Sequence, residues 1–119
     1  MFRDCASLTS ASKLPATELA DNCYYRMFQN CTSLISAPEL PATILTPYCY
    51  ENMFYGCSKL NYIKAMFTTI PSASYTKDWV KNVAANGTFV KSASASWTTT
   101  GTNGVPTGWT VERIDPETD

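Results

Sequence analysis

Apolar residues recur along this chain on two scales. Over short distances, Leu19, Cys23, Met27 and Cys31 fall four apart, and Leu45, Cys49, Met53 and Cys57 do the same. Tyr24 and Phe28, then Tyr50 and Phe54, form a second row beside each set. Four-residue spacing draws one apolar stripe along a helix, so the pattern predicts a short helix in each case. Thr46-Pro47 is a suitable helix start, because Thr can cap and Pro fits the first helical position.

Over longer distances the whole pattern repeats. Met1, Met27 and Met53 begin successive copies, evenly spaced and without insertion. Met-Phe, a Cys, a Leu, the Leu-Pro-Ala-Thr run and the Cys-Tyr pair return in register, and the third copy decays after Leu60. Asp4, Asn30 and Gly56 precede the repeated cysteine. All three residue types tolerate a left-handed backbone, which predicts a helix end at that position. Ser33 to Ala37, matching Ser7 to Ala11, reads as a short extended segment bounded by Pro38, and stacked copies would pair as a narrow parallel sheet. Leu40-Pro41-Ala42-Thr43 turns the chain back. The expected fold is a right-handed α/β solenoid of strand-turn-helix repeats, each unit burying its apolar face against its neighbours.

Beyond Phe67 the period fades. Tyr75, Trp79 and Val83 lie four apart and predict a helix over 74–83. Thr88 to Lys91 reads as a strand, and Trp109 to Ile114 alternates as a final strand paired with it. The expected organisation is one domain: residues 1–70 form the repeat array, with two full copies and a partial third, and residues 71–119 form a small α+β C-terminal cap. Trp79, Phe89, Trp97 and Trp109 are the large apolar residues available for that capping. Trp97 lies in a Ser/Thr-rich stretch and is the one expected to face solvent, where an indole can stack on a sugar.

The motif MFxxCxSL, followed by LPAT and CYxxMFxxC, resembles the leucine-rich repeats of BspA-like surface proteins of Bacteroides-type gut bacteria. The resemblance covers about residues 1–65 and rests on Cys5, Leu8, Leu14, Pro15, Leu19, Cys23, Tyr24 and Phe28 with their counterparts in the next copy. It implies a leucine-rich-repeat-like coil, a cell-surface or secreted location, and adhesion to proteins or glycans of a host or of neighbouring bacteria. The family carries no fixed ligand set, so no site residues transfer. The chain opens on the first repeat position, which reads as the C-terminal fragment of a longer array; its uncapped first repeat would expose Met1, Phe2, Leu8 and Leu14 and invite self-association.

Composition narrows the function classes. Nine basic and ten acidic residues leave a net charge of −1 without a basic cluster, which argues against a nucleic-acid partner. No apolar run approaches the roughly 20 residues needed to span a bilayer as a helix. The chain has no histidine, and nucleophilic catalysis by Cys or Ser normally needs that base. The five cysteines follow the repeat and read as buried thiols in ladders rather than as disulfides or a metal site. No cofactor is expected. The predicted function is therefore a non-enzymatic interaction or adhesion module; a purely structural end-cap and a carbohydrate-binding module are the alternatives. Specificity would lie where the copies differ, at Lys13/Glu39, Glu18/Ile44, Asp21/Pro47 and Tyr25/Glu51. Lys13, Glu39, Tyr25, Glu51 and Trp97 are the candidate interaction residues.

Overall fold

Two kinds of backbone pairing stack this chain in layers. In the computed structural model, residues 7–9, 24–40, 45–70 and 73–114 are described. The segments expected to be helical form the first kind of pairing, and they are not helices. Residues 24–30, 47–56 and 77–82 are runs of turns, and the 3-10 turn Ala73–Tyr75 is the one helical element among the described residues.

These runs follow an alternating rule. Odd-numbered residues in the second run close local turns: Cys49 N–H donates to Thr46 O, Met53 N–H to Tyr50 O, and Cys57 N–H to Phe54 O, at 3.0–3.1 Å. Even-numbered residues donate to the next layer instead. Tyr50, Asn52, Phe54 and Gly56 reach the carbonyls of Tyr75, Lys77, Trp79 and Lys81 at 2.8–3.1 Å. Tyr24, Arg26, Phe28 and Asn30 reach Cys49, Glu51, Met53 and Tyr55 in the same way, at 2.7–3.1 Å. Between them the two sets satisfy backbone groups that would be costly to bury unpaired. The chain achieves this by going left-handed at every fourth residue: Arg26 and Asn30, then Tyr48, Asn52 and Gly56, then Asp78 and Asn82 all have φ between 52° and 80°.

The second kind of pairing is a parallel sheet of three strands, β1 (Tyr62–Ala65), β2 (Thr88–Ser92) and β3 (Thr110–Ile114), in the order β1-β2-β3. Residues 36–40 join β1 only through bridges, Ser36 to Tyr62 and Leu40 to Ala65. The two bridges lie further apart on that segment than on β1, which marks a bulge around Pro38-Glu39 that fits proline's missing N–H. Tyr62 pairs with Thr88, a full repeat later, but Thr88 pairs with Thr110, which comes sooner than a full repeat. The last layer is thus shorter than the one before it.

The core lies between the turn runs and the sheet. Phe28 and Phe54 stack at 5.6 Å, Tyr24 and Tyr50 at 6.0 Å, and Tyr50 on Trp79 at 5.7 Å. Trp79 meets Phe89 edge-on, and Phe89 meets Trp97 likewise. Leu34 and Leu60, equivalent in the repeat, are both fully buried, as are Cys31, Cys49 and Cys57. The layering thus continues past Phe67, where the sequence period fades, because Trp79 and Phe89 supply rings at the level the repeat would have filled.

The α/β solenoid of strand-turn-helix repeats is therefore overturned, and with it the leucine-rich-repeat coil. The apolar rows are real but lie along left-handed turn runs, and the molecule is a small strand-rich unit measuring 34 × 29 × 26 Å. The helix expected over 74–83 is replaced by the 3-10 turn and the turn run 77–82. Asn30 and Gly56 are left-handed as expected, although no helix ends there. The final strand does pair with β2, in parallel. Asp4, Cys5, Cys23, Met1, Phe2 and Leu14 lie outside the described residues; Leu8 is half-buried.

Candidate interaction face and groove

The aromatic stacks fix which positions share a level. Phe28 and Phe54, equivalent in successive copies, have nearly parallel rings, at 6°. In that register Tyr25, Glu51 and Lys77 occupy equivalent positions in three successive layers, and Gln29, Tyr55 and Lys81 another set. Side chains at these positions alternate with the buried Tyr50 and Phe54 and turn away from the core. Tyr25 is 39 % exposed, with the Arg26 guanidinium 4.8 Å from its ring centroid. The Lys81 ammonium lies 5.8 Å from the Tyr55 ring. Glu51 is half-buried, and its carbonyl accepts the Arg26 N–H at 3.0 Å.

Glu39 forms an ion pair with Lys64 at 2.9 Å. It ties the bulged segment to β1, and its partial exposure keeps its energetic contribution small, about 0–1 kcal/mol. Lys13 lies outside the described residues. Trp97 departs most from expectation. It is 5 % exposed, stacks on Phe67 at 5.0 Å, and its indole N–H donates to Phe67 O at 3.1 Å. It is a core residue, unavailable as a sugar platform. The four described candidates therefore do not converge on one site.

Two exposed tyrosines fall outside those candidates: Tyr48 and Tyr62, 46 % and 39 % exposed. The signal was available for Tyr62: the earlier copies place Ser10 and Ser36 where it stands. Tyr48 likewise replaces Asn22. Ile35 is a third large apolar residue left in solvent.

Lys91 was also missed, because strand alternation does not show that a charge is turned inward. It pairs with Ala65 on β1 and Arg113 on β3 and is 4 % exposed. Its ammonium donates to Trp97 O at 2.9 Å and lies 4.4 Å from the Trp97 ring centroid. Burial, and then the Arg113 guanidinium, push its pKa below the ordinary 10.5. The Cys57 thiol donates to Phe28 O at 3.0 Å, and burial pushes its pKa from 9.0 up to about 12. A thiol so protonated is a poor nucleophile and metal ligand. Among the described residues no group of three or more His, Cys, Asp or Glu side chains could hold a metal ion, and no helix is long and apolar enough to cross a membrane.

A groove of about 200 Å³ lies between the end of the third turn run and the 101–107 loop. Val80, Val83 and Pro106 supply its apolar surface, and Asn82, Thr102 and Thr107 its polar groups; none of its lining residues is charged.

Compared with protein-family models, with curated proteins and with solved structures, the chain matches none. Neither these comparisons nor the fold supports a leucine-rich-repeat assignment or a Bacteroides-type source.

Proposed function

We propose that this protein is a non-enzymatic interaction module whose exposed tyrosines contact a protein or glycan partner. The observation that carries the reading is a division of labour in the repeat. Positions kept between copies, such as Phe28/Phe54, Cys31/Cys57 and Leu34/Leu60, fill the core. Positions that differ, such as Tyr25/Glu51 and Ser36/Tyr62, lie at or near the surface. A frame that repeats while its outward residues vary serves to present side chains. Exposed tyrosines offer large, fairly rigid contact areas with a polar end, which is why they recur in recognition surfaces. The same reading assigns the protein an adhesive role, at the cell surface or in the secreted state.

The test is binding of the purified protein to a glycan array and to a panel of immobilised extracellular glycoproteins. Wild-type protein should bind at least one class, and the combined Tyr25→Ala, Tyr48→Ala and Tyr62→Ala variant should lose at least about tenfold in affinity, equivalent to about 1.4 kcal/mol. Unchanged binding by the triple variant would remove the tyrosines from the account. Turnover of any panel member would remove the non-enzymatic reading.

A further inference from the structure

Two cations meet on one face of the sheet without a carboxylate between them. Lys91 on β2 and Arg113 on β3 are directly opposed in the parallel register, and like charges so placed destabilise a sheet. Strand alternation puts Ile63, Ala65, Phe89 and Val111 on the same face, so that face holds two positive charges and no negative one. Both side chains turn to carbonyls of the segment after β2. The Lys91 ammonium donates to Trp97 O at 2.9 Å, and Arg113 Nη1 donates to Ala95 O at 3.1 Å. These neutral acceptors satisfy single donors and leave both charges uncompensated: among the described residues neither side chain forms an ion pair. The two are near enough in space for Arg113 to depress the Lys91 pKa, second only to burial. The surrounding sequence supplies no remedy. Between Glu51 and Glu112 the chain carries Lys59, Lys64, Lys77, Lys81 and Lys91 against Asp78 alone. Asp78 belongs to the third turn run, across the core from the sheet, and Glu112 falls on the opposite face of β3 by alternation.

We propose that Lys91 and Arg113 together hold a small doubly charged oxyanion, of the sulfate or phosphate class. The two residues play different parts. Arg113 is exposed, and its bond to Ala95 O leaves other guanidinium donors, whose planar fork matches two oxygens of an oxyanion at once. Lys91 lies behind it at 4 % exposed, where weak solvent screening strengthens its pull on a nearby anion. Trp97 keeps the ammonium in place from two sides, with its carbonyl at 2.9 Å and its ring centroid at 4.4 Å. A dianion offsets both charges, whereas a lone carboxylate would offset one. The site stands apart from the exposed tyrosines: Tyr62 lies at the start of β1, while Lys91 and Arg113 are level with Ala65 at its end.

Titration of isotopically labelled protein with sodium sulfate, at ionic strength held constant with sodium chloride, tests the proposal. The Arg113 side-chain N–H signals, the Trp97 indole and the amides of Lys91 and Ala95 should move saturably, with a Kd of about 1–10 mM. Arg113→Gln, at an exposed position, should weaken binding at least tenfold with signal dispersion intact. Lys91→Met should do the same although Arg113 remains, which separates a two-cation site from an ordinary surface arginine. Lys59→Gln, an exposed lysine elsewhere, should leave the titration unchanged. Glucose 6-phosphate distinguishes the source of the group: tighter binding than sulfate supports an oxyanion carried on a larger ligand, and equal binding supports the free ion. Movement that does not saturate, or that Lys59→Gln reduces as much as Arg113→Gln, would overturn the proposal. Saturation that appears only after Asp115→Asn and Glu117→Gln would assign the place to the chain's own acidic residues and overturn it as well.

Discussion

The rings of Phe28 and Phe54 lie parallel, 5.6 Å apart, although a full repeat separates them in sequence. Their backbones share the ladder: the Phe28 N–H bonds to Met53 O, and the Phe54 N–H to Trp79 O. Each ring therefore stabilises two layers at once. Truncation at the middle position should be the more costly of ordinary aromatic losses. Phe54→Ala is expected to reduce unfolding stability by about 3–5 kcal/mol, measured by denaturant titration. Tyr25→Ala, at the surface, should change it by no more than about 0.5 kcal/mol. Equal losses at the two sites would refute the layered core.

Gly56 tests the turn geometry independently. Its φ is +80°, and a Cβ there would meet the Asn30 side-chain oxygen. Gly56→Ala is expected to cost about 1–3 kcal/mol, whereas Asn52→Gly, at another left-handed position, should be close to neutral. In an α-helix both signs would change, because Ala is the best helix former and Gly among the worst. Thermal melts of the two variants decide between the geometries.

The contrast shows where the sequence was legible. The repeat register, the aromatic rows and the buried cysteines could be read directly, because burial imposes periodicity whatever the backbone does. The strands near 88 and 110 were readable from alternation. The helices were misread because left-handed residues at every fourth position return side chains to one side at nearly the helical period. The discriminating signal was composition at those positions. Asn30, Asn52, Gly56, Asp78 and Asn82 recur where a helix interior would favour Ala, Leu or Glu. Trp97 was misjudged because its Ser- and Thr-rich neighbours suggest a surface loop, while Phe67, distant in sequence, and Phe89 on β2 supply its cover.

Lys91 should leave a signature in the pH dependence of stability. Its amine has a lower pKa folded than the ordinary 10.5, so between those two values the unfolded chain binds more protons and stability rises with pH. Below the depressed value the penalty of burying the ammonium beside Arg113 is constant and full. Lys91→Met should therefore be more stable than wild type at neutral pH, with the advantage shrinking as pH approaches 10.5. Paired denaturant titrations across that range measure the difference, and a constant difference would contradict the assignment.

Cys57 titrates in the opposite sense. With its pKa raised from 9.0 to about 12, the folded state holds the proton longer, so the stability it contributes is full below pH 9.0 and is lost progressively as pH rises toward about 12. The thiol is fully buried, so iodoacetamide at mildly alkaline pH should label it only after unfolding. Mass spectrometry of native and denatured samples checks this, and rapid native labelling at Cys57 would show that the layer opens.

Residues 47–56 form a turn run bonded to the next layer rather than a helix. Through-hydrogen-bond NMR couplings from each amide nitrogen to its acceptor carbonyl measure that directly. The structure predicts a coupling from the Phe54 nitrogen to the Trp79 carbonyl, and one from Asn52 to Lys77. Couplings from Phe54 to Tyr50 and from Met53 to Cys49, the pattern of an α-helix, would contradict it.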